Sequence, residues 1–277
     1  MSSESALNTP AENPQADHPF RNEPTERDAA PQYVLPLVVH IEKAAPPTRT
    51  GALETAARAV LFMLSDERSL GEGEDEGEWA RAMRDWQDAR IRKVVRRARG
   101  AEWRKASALP GLTTTSASAE IATTISTDAA TSADAATGPT PDRSPAEVRV
   151  FPPIPLDGWP KELAKLQVSG TDLDDPHPPP APDPAYPVLW LNPEVEMSAG
   201  KAMAQAGHAA QLAWWDLSDT DRKEWREAGF PLAVRTAGPE RWARLVAGGL
   251  PAVLDAGFTE IAPGSRTVIA DHPALRD

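Results

Sequence analysis

YPVLWLNPEVEMSAGKAMAQAGHAAQLAWW (residues 186–215) sets a short apolar run in front of a long alanine-rich stretch with Ser198 at its head. VLWL is apolar without alternation, as in a strand covered on both faces. Ser198 is a natural N-cap, and the alanines after it let a helix pack closely on a sheet. Working outward, the spacing predicts a helix over 218–228, a strand over 231–235 and a helix over 239–247, with strands near 252–254 and 267–270. Strands alternating with helices predict an α/β fold, with a small sheet, mostly parallel, covered by helices on both faces.

The same order occurs earlier in the chain. YVLPLVVHI (33–41) precedes GALETAARAVLFML (51–64), as YPVLWLN precedes GKAMAQAGHAAQLAWW. Trp86 and Trp103 are separated by seventeen residues, as are Trp225 and Trp242; between them Ala89, Val95, Arg96 and Ala98 match Ala228, Val234, Arg235 and Ala237. LPGL (109–112) then answers LPAVL (250–254), and EVRVFPP (147–153) answers SRTVIADHP (265–273). This pattern reads as a degenerate tandem duplication. The expected organisation is a disordered tail over 1–31 and a first copy over 32–170 with a Ser/Thr/Ala insertion over 112–145. A stiff Pro-rich linker over 171–185 and a second copy over 186–277 follow.

The chain has 277 residues, 40 % of them apolar, and nine tryptophans, enough for one or two cores. There is no cysteine, the N-terminal stretch lacks an apolar signal segment, and no apolar run approaches the length of a membrane span, so a soluble, cytoplasmic protein is expected. A net charge of −12 argues against a generic nucleic-acid binder. Locally, RIRKVVRRARGAEWRK (90–105) carries eight basic residues and one acid, Glu102. Such an island is either a solvated face balanced by the acidic loop over 72–78 or an RNA-contacting surface.

Two further stretches carry chemistry. On the 198–215 helix, Lys201, Gln205 and His208 fall at i, i+4 and i+7 and share a face. Lys201 lies in the first turn, where the macrodipole disfavours a cation and the free backbone N–H groups favour an anion. Near the C-terminus, DAGFTEIAPGSRTVIA (255–270) holds Asp255 and Thr259 four residues apart around Gly257, with Ser265 just before the last strand. The plain alternatives are a solvated lysine, a half-buried histidine, and an Asp and Thr that cap a turn.

These two stretches carry a resemblance. MSAGKAMAQAGHAA (197–210) resembles the signature of the type 2, archaeal and eukaryotic style, peptidyl-tRNA hydrolases, and DAGFTEIAPGS resembles the family's other signature. It covers residues 186–273, roughly a third of the chain. It implies a small mixed sheet with helices on both faces. It also implies an esterase that releases peptide from the 3′ ribose of peptidyl-tRNA, recycling tRNA for translation without metal or organic cofactor. Carried over by position, the family's catalytic residues map to Lys201, Asp255 and Thr259, with Gln205, His208, Gly257 and Ser265 at substrate-binding or signature positions. Gly257 would let the turn bring Asp255 and Thr259 together.

The chain also departs from that pattern. Ala199, Asn192 and Phe258 stand where the family commonly has cations, and Glu194 stands where it commonly has an Asp. From Asp183 onward nine Lys and Arg face thirteen Asp and Glu. In the first copy Ala52 and Ala59 stand opposite Lys201 and His208, and no D-A-G-x-T segment is present, so that copy holds no second active site. The rival reading is a non-catalytic tRNA- or protein-binding module that kept the fold. An internal pseudo-dimer is expected, with monomer and homodimer both open, and the cationic island is expected to serve tRNA beside the second copy's site.

Overall fold

A computed structural model describes residues 31–116, 118–122, 143–257 and 261–276. All but Pro31 of the expected tail, most of the Ser/Thr/Ala tract, Phe258 and Thr259 lie outside the described residues. Strands β1 (Tyr33–His40), β2 (Arg92–Ala98), β3 (Leu112–Thr115), β4 (Ser118–Ala122), β5 (Glu147–Val150) and β6 (Ile154–Pro155) belong to the first unit. Its helices are α1 (Arg49–Ser65), α2 (Ala80–Asp88), α3 (Gly100–Ser107) and α4 (Lys161–Ala164). The second unit holds β7 (Val188–Leu191), α5 (Ala199–Asp216), α6 (Asp219–Glu227), β8 (Ala233–Thr236), α7 (Pro239–Ala247), β9 (Ala252–Leu254) and β10 (Arg266–Asp271).

The two sheets share one order. The first runs β2-β1-β5-β3-β4, with β6 beside β1, and the second runs β8-β7-β10-β9. In each, the opening strand pairs in parallel with the strand that follows its helices, β1 with β2 and β7 with β8, and antiparallel with the closing strand, β5 or β10. The closing strand then pairs antiparallel with β3 or β9. The sheets are therefore mixed, with one parallel pair at one end, rather than mostly parallel. The cause is connection length: helical crossovers separate β1 from β2 and β7 from β8, whereas one loop returns β9 to β10.

The turn before each second strand repeats in atomic detail. Trp86 Nε1 donates to the Arg92 carbonyl at 2.9 Å and Trp225 Nε1 donates to the Pro231 carbonyl at 3.0 Å. Ile91 (φ 42°) and Phe230 (φ 56°) are the two non-glycine residues with positive φ among the described residues, and each donates its N–H to the carbonyl of its unit's tryptophan. A β-branched residue in that region is strained, yet both copies keep the conformation.

Both central strands are buried almost throughout, which accounts for their unbroken apolar runs. On the outer face of the first sheet, Val38, Ala98 and Phe151 pack with Ala106 and Leu163 of α3 and α4; on that of the second, Trp190 and Ile269 pack with Trp242 of α7. The inner faces share a single core in which α1 and α5 lie against each other, α5 also against β2 and α1 also against β8. This reciprocal packing makes an internal pseudo-dimer. The Pro-rich stretch is anchored to both units: Thr50 donates to Asp175 through its N–H and hydroxyl, Gly200 N–H donates to Thr171 Oγ1 at 2.9 Å, and Arg235 Nε donates to the Pro180 carbonyl at 3.0 Å.

Candidate active site

Helix α5 begins at Ser198, whose side chain accepts from the Lys201 N–H at 3.3 Å while its carbonyl accepts from Ala202 N–H. With Gly200 N–H given to Thr171, two of the free donors at the head of the helix are spent within the chain. The Gly200 and Lys201 donors that the sequence led us to expect for an anion are therefore already engaged, and the Lys201 side chain stands beside them.

The Lys201 ammonium is paired with Asp255 Oδ2, their side chains 15 % and 4 % exposed. The same oxygen accepts from Gln205 Nε2 at 2.9 Å, and Oδ1 accepts from the Gly257 N–H at 2.8 Å. Gln205 Oε1 accepts in turn from Thr267 Oγ1 at 2.7 Å. A buried chain thus runs from β10 through α5 to the acid, with each member's rotamer fixed by the next. Gly257 has φ +78°, and a Cβ there would meet Pro263 at 2.3 Å, so this turn requires glycine. Ser265 closes the turn through its backbone, its carbonyl accepting from Asp255 N–H at 2.9 Å. The structure brings together Lys201, Gln205, Asp255 and Gly257 and sets Ser265 behind them; Thr259 lies outside the described residues.

His208 faces a different neighbour. Its Nδ1 accepts from Lys93 Nζ at 3.2 Å, which leaves the ring proton on Nε2. Burial, then the nearby Lys93 and Lys201 ammonium groups, push its imidazole well below the ordinary histidine range and hold it neutral. Lys93 also donates to Gln211 Oε1 at 2.5 Å, and burial pushes it well below the ordinary lysine range. Thr267 and Gln211 were missed in the sequence, and Lys93 was read only as one of the island's tRNA-facing cations, not as a residue turned into the cavity wall. A signal for Lys93 existed, because on β2 it alternates with the buried Ile91 and Val95 and so shares their face.

A cavity of about 340 Å³ opens between the units, lined by Lys201, Gln205, His208 and Asp255 on one side and by Arg90, Arg92 and Lys93 on the other. The cationic island is consequently not a single open RNA-facing surface. Lys93 turns inward; Arg96 donates to the Ala164 and Leu166 carbonyls and stacks on Trp159; Arg97 donates to the Ser169 carbonyl. The last two tie β2 to the 161–170 segment. The helix heads also correct the pairing of the copies. Thr48 caps α1 through Gly51 N–H as Ser198 caps α5 through Lys201 N–H, which sets Gly51 opposite Lys201 and Arg58 opposite His208, one residue from the alignment read in sequence. Among the described residues no group of three or more His, Asp or Glu side chains is arranged to hold a metal ion, and no helix is long and apolar enough to cross a membrane.

Residues 187–277 match the family model of peptidyl-tRNA hydrolase PTH2. The peptidyl-tRNA hydrolase of Pyrobaculum aerophilum is 39 % identical over 98 residues, covering 82 % of that protein and 31 % of this chain. That of Aeropyrum pernix is 36 % identical over 95 residues, covering 77 % of that protein and 29 % of this chain. The chain belongs to the peptidyl-tRNA hydrolase PTH2 family. Within that family it is also similar to the mitochondrial peptidyl-tRNA hydrolase 2 of Bos taurus, 33 % identical over 100 residues, but spans only 56 % of that protein's length, with 32 % of this chain covered. The PTH2 match holds every residue of the Lys201 network and none of the β2 wall.

Proposed function

We propose that the protein hydrolyses the ester joining a peptide to the 3′ ribose of tRNA. The observation that carries this reading is the Lys201–Asp255 pair, locked by Gln205 and Thr267 at the edge of an open cavity, within the PTH2-matched segment. Ester hydrolysis needs a stabiliser for the charge that grows on the carbonyl oxygen. Lys201 is that group: an ammonium held in place meets the oxyanion without reorganising. Asp255 accepts three hydrogen bonds, from Lys201, Gln205 and Gly257, and so serves to aim Lys201 rather than to take a proton. We assign the proton of the attacking water to the ribose hydroxyl beside the ester, which passes its own proton to the departing 3′ oxygen, and Thr259, four residues beyond Asp255, to holding that water.

Deacylation of an N-acetylaminoacyl-tRNA tests the reading. Lys201→Ala should lower kcat by about 10³-fold and Asp255→Asn by about 10²-fold, the range seen when one oxyanion-stabilising group or its support is lost. An inactive wild type, or full activity in Lys201→Ala, would reject it.

A further inference from the structure

Hydrolysis as proposed uses Lys201, Asp255 and Gln205 and leaves one buried lysine without a role. Lys93 projects from β2 with 8 % of its surface exposed, its Nζ lying 4.8 Å from the centre of the Trp86 ring. Its hydrogen-bond partners, Gln211 Oε1 and the neutral His208 Nδ1, carry no charge, and among the described residues no carboxylate pairs with it. A buried ammonium without a counter-charge is costly. Gln211 is fully buried and its Nε2 has no hydrogen-bond partner, so the pocket around Lys93 is polar beyond what its packing needs.

The other strand–helix junction holds a cation at a different position, since Arg235 matches Arg96 and not Lys93, and disposes of it in the usual way. There Arg235 of β8 donates to Glu54 Oε1 of α1 at 2.6 Å, acid and base coming from different units. At the β2–α5 junction no such acid appears, and the cavity stands there instead. Among the described residues its lining brings Lys93 of the first unit to face Lys201 of the second, and Lys201 is already engaged by Asp255.

We propose that Lys93 is a phosphate-binding residue that the first unit supplies to the site of the second: it takes a backbone phosphate next to the 3′-terminal nucleotide of the substrate RNA while Lys201 meets the ester. This rests on the reading of the protein as a peptidyl-tRNA hydrolase. It gives the first unit a function at the chemistry, and the anionic ligand supplies the counter-charge that the fold withholds.

The test compares wild type with Lys93→Met, which keeps the stem and removes the charge, in steady-state deacylation at 50 to 200 mM salt. KM should rise by about 10-fold with kcat within about 2-fold, and the slope of log(1/KM) against log salt should shrink by about 0.7, the loss of one single-strand phosphate contact. An unchanged KM and slope, or a fall in kcat alone, overturns the proposal. Should Lys93→Met fail to fold, Lys93→Gln takes its place with the same expectations. Binding of a cytidine-cytidine-adenosine trinucleotide, read by calorimetry, separates this inference from the hydrolase reading. If the wild type is inactive yet binds the trinucleotide about 10-fold more tightly than Lys93→Met, the phosphate site stands and the hydrolase reading falls. Equal binding by both proteins, or by neither, rejects the phosphate site.

Discussion

At the two places where one unit's sheet meets the other unit's helix, charge is treated in opposite ways. At the β8–α1 junction Glu54 answers Arg235 and also accepts from the Val234 N–H at 3.1 Å, so acid, base and backbone donor satisfy one another. At the β2–α5 junction Lys93 meets an amide and a neutral imidazole beside a cavity. A pseudo-dimer of equal halves would repeat the first solution twice. The difference teaches that one junction was kept for cohesion and the other left electrostatically incomplete, on the side where Lys201 and Asp255 stand.

The sharpest way to break that contrast is to remove one charge from each junction. Glu54→Ala strands Arg235, whose side chain is 13 % exposed, and orphans the Val234 N–H, so stability should fall by about 3 kcal/mol in denaturant titration. Lys93→Met relieves the desolvation of a buried amine but takes the donor from Gln211 Oε1, so its net cost should stay within about 1 kcal/mol. Similar losses in both variants would show that the junctions are alike and that Lys93 is held by interactions of the ordinary kind.

How much of this was legible in the sequence varies from residue to residue. The order of strands and helices, and the turn at Gly257, follow from local signals: apolar runs, a serine cap, a glycine between two polar residues. The duplication was visible through the equal spacing of Trp86 and Trp103 and of Trp225 and Trp242, of which Trp86 and Trp225 are buried with an indole hydrogen bond to the backbone. Ile91 and Phe230 left no such mark, since neither residue type announces positive φ. Lys93 was hidden among seven other basic residues, and only its alternation with Ile91 and Val95 marked it as inward-facing. Its partners His208 and Gln211 lie more than a hundred residues away, a distance no local pattern spans. The mixed sheet was expected from the family resemblance alone, because α/β alternation says nothing about where a last strand returns and by itself suggested a mostly parallel sheet.

A second comparison sets one histidine of each unit against the other as a function of pH. In the second unit, His272 lies against the Trp225 ring, and its Nδ1 accepts from the Ala274 N–H; burial pushes it down to about 4. A depressed folded value contributes stability that is whole above the unfolded value near 6.5 and is lost as pH falls through it toward 4. That loss is on the order of 2 kcal/mol once partial exposure is allowed for. In the first unit, His40 stacks on Trp103 with Nδ1 2.6 Å from Glu147 and Nε2 3.0 Å from Glu42. The hydrogen bond to Glu147, outweighing desolvation, raises its pKa. Its contribution is therefore whole below about 6.5 and is lost as pH rises through the raised value, a smaller effect. Acid should loosen the second unit and mild alkali the first. The check is stability against pH for wild type, His272→Gln and His40→Gln; an acid limb unchanged in His272→Gln would remove the asymmetry.

The smallest expected effect concerns the glycines on the two facing helices. Gly207 of α5 faces the first unit: a Cβ there would stand 2.9 Å from Val60 Cγ2 of α1 and 3.3 Å from Lys93 Cδ. Val60 is branched, buried and set in the core, so it has little freedom to retreat. Gly207→Ala gains about 1 kcal/mol of helix propensity but loses about 2 kcal/mol to overpacking, a net cost near 1 kcal/mol. Gly51 of α1 offers the contrast. A Cβ there would meet Thr48 Oγ1 at 2.7 Å, the end of a side chain that can turn away at the cost of one cap, so Gly51→Ala should be close to neutral. Thermal unfolding of both variants reads the difference. The functional consequence is more telling than the stability: added bulk at Gly207 pushes on the Lys93 stem, so Gly207→Ala should raise KM for peptidyl-tRNA by a few-fold, while Gly51→Ala leaves it unchanged. Equal KM values would mean that the approach of the two units at Gly207 serves packing alone, and that the position of Lys93 in the cavity wall tolerates displacement.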